Sequence, residues 1–464
     1  MKGTRGATLL VAALLVGCVS KRIREGPPIY KGEPQVPGGV TGAARPPRDS
    51  AARPGATPGD IPTDEAPRVR VDGARDVRVA LATAAQGAAL DATGPWRLFD
   101  ARNNVLVRAR AGDTWTVERR GRLLRATILG GSATPWLEGA FTLRTDRDDA
   151  FALFAGHKYR GALRLTSNDS TLVVVNVLPV EAYLRGVVPL EIGGPRAPNE
   201  QAAVEAQAIA ARSYTFVRLS SAEGSASRNA NYDMLSGVSD QVYGGADAER
   251  PFSDQAVATT NGQVITYGGR IVSAPYHSTC GGETASPEEV WKTGPEPYLR
   301  RVSDRIPGTA DRYYCDQAPR FAWTRAFTGD ELDAAVRANL HSYVAVPSGG
   351  PGHVRSVAVD QRTPSGRVAR LAIGTDRGSY VLRGNDIRYV LRLNGGEILN
   401  STYFTLESEV RRDGGISRLV VRGNGYGHGI GMCQWGAIGR SRAGQSARSI
   451  LATYYPGTSI GTVN

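Results

Sequence analysis

The sequence predicts an α+β protein in which strands dominate, and three observations carry that prediction. From residue 68 to about 185 the chain is a succession of short alternating or apolar runs punctuated by Gly, Asn and Asp. One long alanine-rich helix follows at 198–219, with apolar positions recurring at helical spacing. A further group of helix and strand signals then fills 316–420 with a rhythm of its own. The expected architecture is a strand-rich core with the alanine-rich helix beside a functional cleft, and a small α+β subdomain inserted before the C-terminus.

The elements follow in order. Residues 1–18, "MKGTRGATLLVAALLVGC", combine the cations Lys2 and Arg5 with an apolar run from Ala7 to Val16. That run is shorter than the roughly 20 residues a membrane-spanning helix needs, so it reads as an export signal. Its end, "LVGC", resembles the lipobox of bacterial lipoproteins, in which Cys18 becomes the lipidated first residue of the mature chain. An ordinary signal peptide with a chance cysteine is the alternative. Several acyl chains on one residue, at about 0.8 kcal/mol per buried CH₂, would hold the protein at a membrane face. Residues 19–67 are rich in Pro, Gly, Ala and Arg without hydrophobic period, a composition that cannot offset its ordering entropy. At roughly 3.1 Å per residue where extended, this tether would reach on the order of 100 Å.

Residues 68–315 form the N-terminal β-rich part. "RVRVAL", "WRLFD", "TWTVERRGRLLRATI", "FTLRT" and "GALRLTSNDSTLVVVNVLP" read as strands and hairpins. In "PNEQAAVEAQAIAARSYTFVRL", Asn199 is the expected N-cap and Glu200 lies in the first turn. Val204, Ala208, Ala211 and Thr215 share one face, and the many alanines imply close packing. "QVITYGG" and "RIVSAPYHSTC" resume the strands. In 316–420, "TGDELDAAVRANL" predicts a helix and "VRSVAVDQRTPSGRVARLAIGTDRGSYVL" a hairpin turning at Thr-Pro-Ser-Gly. Residues 421–464 return to the main domain through "RGNGYGHGIGMCQWGA" and a last helix, "SARSILATYY".

The formal net charge of +12 is carried mainly by scattered arginines rather than a stripe. Such a balance draws an exported protein toward acidic envelope polymers, and no nucleic-acid partner is expected in that compartment. The glycine-rich C-terminal run matches no register of G-x-G-x-x-G, and no P-loop occurs.

One acid stands out. In "YLRGVVPLEIG", Glu191 follows Val187, Val188 and Leu190 and precedes Ile192. An exposed glutamate titrates near 4.3, whereas apolar burial disfavours the charged form and raises that value. The alternative is a glutamate that caps the next helix or pairs with Arg185 or Arg212.

The blocks "EAYLRGVVPLEI", "EAQAIAARSYTF", "DQVYGG", "YHSTCGGETASPEEVW" and "GYGHGIGMCQWGAIGRSRAGQSARSILATYYPGTSI" resemble, in order, the signatures of the stage II sporulation protein D family. The resemblance runs from about residue 170 to the C-terminus. It implies an exported enzyme that cleaves peptidoglycan glycan strands stripped of their stem peptides, with Glu191 as the essential acid. A hydrolase would need a second carboxylate about 5–5.5 or 6.5–9.5 Å away. A lytic transglycosylase needs one group, which protonates the leaving oxygen and then deprotonates the sugar's own 6-hydroxyl.

Around that acid, Arg212 is expected to hold sugar carboxylate or hydroxyls, or else to form a structural ion pair. Gln241 and Tyr243 in "DQVYGG", His277 and Ser278 in "YHSTCGG", and His428 and Gln434 in the glycine-rich run complete the expected substrate-binding set. Trp435 is a cleft or core residue. Of the four cysteines, Cys18 is assigned to lipid, Cys280 and Cys315 to a disulfide, and Cys433 to the core. No cofactor or metal is expected. Some members of the family carry zinc on a His-and-Cys cluster, and a site built on His277 and Cys280 is the alternative. The expected partners are peptidoglycan strands, a wall amidase if the protein binds without cutting, and a membrane through the lipid alone. A cysteine hydrolase using Cys280 or Cys433 with His277 or His428 is a third reading. Asp240, Glu283 and Asp304 are the candidate second carboxylates should cleavage be hydrolytic.

Overall fold

Alternating side chains in the first half of the chain build two sheets over a shared core. A computed structural model describes residues 68–69, 75–167, 170–223 and 231–463. The export signal, Cys18 and the tether expected over 19–67 all lie outside the described residues. In a seven-stranded sheet, Leu172–Pro179 pairs antiparallel with both Asp76–Ala85 and Ala162–Ser167. Leu172, Val173, Val174 and Val175 are all buried, as a central strand covered on both faces requires. A six-stranded sheet, with Ala88–Ala92, Trp115–Arg120 and Leu123–Ile128 at its centre, contributes Leu90, Val117 and Leu124 to the same core.

The strand Leu172–Pro179 runs without a loop into helix α1 (Val180–Ile192). After a short 3₁₀ turn at Pro198–Glu200, helix α2 (Gln201–Glu223) crosses the core. Val204, Ala208, Ala211 and Thr215 are fully buried, and so are Ala203, Ala206 and Ala210. A helix buried on most of its faces needs small side chains to let its neighbours approach, which accounts for the alanines. The start of α2 differs from expectation: Asn199 makes no side-chain cap. The carboxylate of Glu200 instead accepts from the Ala197 N–H at 3.0 Å.

Two pairings bring the chain's end back to its middle. Ser459–Val463 lies antiparallel to Gln263–Tyr267. Tyr276–His277 pairs in parallel with Met432–Cys433, so the glycine-rich run lies against the "YHSTC" segment. Residues 323–421 gather round a second core, with Phe327, Leu332, Leu371, Leu382 and Leu419 buried at its centre. The α+β, strand-rich class read from the sequence is the class observed.

In that second core, Thr328 caps the helix Gly329–Asn339. Its hydroxyl accepts from the Glu331 N–H while Glu331 accepts from the Thr328 N–H. Thr328→Ala removes one half of this reciprocal pair and is expected to cost about 1 kcal/mol in urea unfolding.

Candidate functional site

Glu191 lies in the last turn of α1. Pro189 stands inside this helix and has no N–H to give, which leaves the Arg185 carbonyl without its intrahelical donor. There the Gly186 carbonyl accepts from the Gly244 N–H at 3.1 Å, which ties α1 to the segment 241–245. Gly186 is required for that approach. A Cβ at this position would lie 2.6 Å from the Tyr243 ring and 2.8 Å from the Gly245 carbonyl oxygen. Gly193, at φ 68°, ends the helix in a conformation that glycine adopts readily. Val187 and Val188, one turn before Glu191, are buried, and so is Ile192. Leu190 was expected to share that apolar shelf, but it points outward and is 43% exposed, because it lies on the opposite side of the turn.

Glu191 is a partly exposed residue whose carboxylate has few partners. Oε1 accepts from the Val242 backbone N–H at 2.8 Å, and Gln434 gives a second hydrogen bond. Burial pushes its pKa from 4.5 up to about 7, against the opposing pull of both bonds. No ion pair to Glu191 forms among the described residues: Arg185 turns to Glu249 and Asp254 instead. Gln434 also donates to Gln207 of α2 at 3.3 Å.

Beneath the acid runs a buried polar chain. Gln241 Oε1 accepts from Tyr183 and Thr215, and its Nε2 donates to the Ala211 carbonyl and the Tyr276 hydroxyl. Burial keeps Tyr183, Tyr214 and Tyr276 protonated well beyond neutral pH, and the charge of Glu191 adds to each shift.

Several expected ligand contacts prove to be supports. Arg212 is fully buried, and its donors go to Glu181, Thr260 and the carbonyls of Gln263 and Val257. With its donors committed, it has none left for a sugar, and the ion-pair alternative is the one observed. Gln241 and Tyr243 are also buried. Gln241 is saturated as described, and the Tyr243 hydroxyl donates to Asn176 at 2.7 Å. His277 is buried with Nδ1 on the Ile430 carbonyl. His428 uses Nε2 on the Tyr276 carbonyl and Nδ1 on the Ile430 N–H, which fixes a neutral tautomer. Burial lowers its pKa to about 3 and holds His277 down as well. Ser278 is partly exposed, and its carbonyl accepts from the Trp435 N–H. Trp435 is partly exposed beneath the guanidinium of Arg196, which lies 5.4 Å from the ring centroid. The fold therefore gathers Glu191, Gln434, Ser278, His428 and Trp435 through shared partners and removes Arg212 to the core.

Three groups escaped sequence reasoning: Gln207, Tyr276 and the Val242 N–H. Gln207 alone left a trace, as a polar residue within an otherwise apolar helix surface.

The cysteines depart from expectation too. Cys280, Cys315 and Cys433 are free and buried, so the expected Cys280–Cys315 disulfide is not formed. The Sγ atoms of Cys280 and Cys315 stand 3.5 Å apart, against about 2.05 Å for a bonded pair. Cys433 is no isolated hydrophobe, since its sulfur accepts from the Cys280 and Gly436 N–H groups. Asp304 completes a group whose ligand atoms lie within 4.8 Å of one another, and His277 is outside it. Full burial of Cys280 and Cys433 and the backbone bonding of both imidazoles disfavour a thiol nucleophile.

The candidate second carboxylates are committed elsewhere: Asp240 to Arg218, Asp304 to Arg440 and Tyr454, and Glu283 to Arg301. A separate depression of about 610 Å³ is lined by Trp323, Arg362, Tyr403, Arg422 and Asn424 of the 316–424 region, with none of the Glu191 shell among its walls.

Two substitutions separate support from contact. Gly186→Ala forces α1 and the 241–245 segment apart, with an expected stability loss of roughly 1–3 kcal/mol and a fall in activity. Arg212→Lys keeps the charge but loses the planar fork. It is expected to lower the melting temperature while glycan affinity of the folded protein, measured by pull-down, stays unchanged.

Comparison with known proteins places this geometry. A family model described as "Stage II sporulation protein" matches residues 168–267, and a domain of unknown function matches residues 308–431. The chain is 30% identical over 318 residues to an uncharacterized protein of Brachyspira hyodysenteriae, covering 68% of this chain and 75% of that protein. It is 30% identical over 307 residues to stage II sporulation protein D of Bacillus amyloliquefaciens, covering 64% of this chain and 76% of that one. With the amidase enhancer of Bacillus subtilis it shares 29% identity over 308 residues, 60% of this chain but only 40% of the longer relative. The chain belongs to the stage II sporulation protein D family.

Proposed function

We propose that this protein is an exported lytic transglycosylase that cleaves peptidoglycan glycan strands without water as nucleophile, leaving 1,6-anhydro ends. The observation that carries the reading is Glu191: a partly exposed residue with no counter-ion among the described residues, pushed to a pKa of about 7 by burial. At that value about half the molecules hold the acid proton at neutral pH, against about one in 500 for an exposed glutamate.

In this mechanism Glu191 gives its proton to the glycosidic oxygen as that bond breaks. The resulting carboxylate, still held by the Val242 N–H and Gln434, takes the proton of the sugar's 6-hydroxyl. The 6-oxygen then closes onto the anomeric carbon, and the acid is regenerated. One group suffices because the same proton balance runs out and back, which agrees with the commitment of Asp240, Glu283 and Asp304 to other partners. Ser278 and Trp435, both partly exposed, are the residues we assign to strand binding, while the buried Gln434 and the backbone-bonded His428 act as supports rather than the sugar contacts expected from the sequence. The neutral imidazole of His428 orients the site and moves no proton. Lipidation at Cys18 and the 19–67 tether would place the domain in the cell envelope, within reach of its polymer.

A second reading is supported by the similarity to the amidase enhancer. The same surface would then hold strands for a wall amidase without cutting them.

Digestion of peptide-stripped strands followed by mass spectrometry of the ends distinguishes these readings. Products one water lighter than hydrolysis fragments are expected. Ordinary reducing ends would mean a hydrolase, and no fragments would mean a binder. Glu191→Gln is expected to lower kcat by about 10²–10⁴ with strand binding retained.

The pH dependence has a definite sign. Protonated Glu191 is required, so kcat/KM is expected to fall tenfold per unit above about pH 7. The folded chain holds this proton more tightly than the unfolded one. The group's contribution to stability is therefore complete below about pH 4.5 and lost as the pH rises through 7. In Glu191→Gln that loss disappears, which melting curves at pH 5 and pH 8 would read.

A further inference from the structure

We propose that Cys280, Cys315, Cys433 and Asp304 form a tetrahedral site for a thiophilic divalent cation of the zinc class, buried behind the Glu191 shell. The site is independent of the reaction performed there and uses no histidine.

The geometry comes first. At a zinc–sulfur distance of about 2.3 Å, tetrahedral coordination puts sulfur pairs about 3.8 Å apart and sulfur–oxygen pairs slightly closer. Cys280 Sγ stands 3.5 Å from Cys315 Sγ and 3.4 Å from Asp304 Oδ2, and all four donor atoms lie within 4.8 Å of one another. The two separations at Cys280 are within a few tenths of an ångström of those values, and the other donors are close enough to converge on one ion with small side-chain movements. The donor set is soft, with three sulfurs and one carboxylate oxygen, which selects zinc-like ions over magnesium or calcium.

The surroundings are those of a ligand shell. Asp304 presents Oδ2 to the thiols while its Oδ1 accepts from Tyr454 at 2.6 Å and Arg440 at 3.0 Å. Such outer partners fix a coordinating carboxylate in one orientation. The Cys433 sulfur accepts backbone N–H bonds from Cys280 and Gly436 at 3.2 Å each, which fixes its position at the start of the helix Gln434–Arg442. Arg440 supplies positive charge against the surplus of negative donors.

A disulfide explains this cluster less well. Three thiols leave one unpaired, and a bond between Cys280 and Cys315 gives no role to the Asp304 oxygen aimed at the same point. Cation binding uses all four. It also joins parts of the chain far apart in sequence: the loop after Tyr276–His277, the 304–315 segment and the helix that begins with Gln434. The ion would anchor Gln434, the amide that holds Glu191.

The test is metal analysis of the full-length protein, purified without chelator after growth with added zinc. One equivalent of zinc per chain is expected, together with a near-ultraviolet thiolate-to-metal band when cobalt(II) replaces it. Cys315→Ser and Cys433→Ser are each expected to lose the metal and the band, whereas Cys18→Ser keeps both. Chelation of the wild type is expected to lower its melting temperature. The wild-type measurements need no variant to fold. Absence of metal from zinc-loaded wild type, a cobalt spectrum without the thiolate band, or a Cys280–Cys315 disulfide as the exported species would each overturn the proposal.

Discussion

The hydrogen bond from the Val242 N–H to Glu191 is the contact on which the site turns. Alone it would lower the pKa of the acid, because a donor favours the charged carboxylate. Desolvation acts in the opposite direction and wins, leaving a group near neutrality that is still held in one orientation. An arginine in place of the backbone donor would reverse that balance. The cationic side chains nearby are accordingly engaged elsewhere, Arg185 on Glu249 and Asp254 and Arg212 on Glu181.

Much of the surrounding architecture serves to keep that single donor in place. Gly186 lets the 241–245 segment close on α1. Gln241, saturated on all sides, fixes the same segment from within. From the far end of the chain, the parallel pairing of Met432–Cys433 with Tyr276–His277 delivers Gln434 to the carboxylate. Buried polar networks of this kind fix one geometry when every member is satisfied, and they are costly when one is lost.

The strand-rich class, the alanine-rich helix, the helix Gly329–Asn339 and the hairpin of Val354–Arg362 with Val368–Thr375 were legible because periodicity and turn chemistry are local. Glu191 was legible as an acid among apolar neighbours. Helix α1 was not, because a glycine and a proline within 13 residues argue against a helix, and only tertiary packing overrides them. Arg212, Gln241 and Tyr243 have polar groups that suit sugar, and nothing in their spacing reveals that each is consumed by buried partners. The grouping of Cys280, Cys315 and Cys433 depends on a parallel strand pair across more than 150 positions, which no local pattern encodes.

Direct titration of the Glu191 carboxyl tests the central claim. Carbon-13 NMR of glutamate-labelled protein, with Glu191→Gln to assign the resonance, would follow that one group through the pH range. The account predicts a midpoint near 7. A midpoint close to the ordinary value of about 4.3 would mean that burial does not control this acid, and the proton-donor role would fail with it.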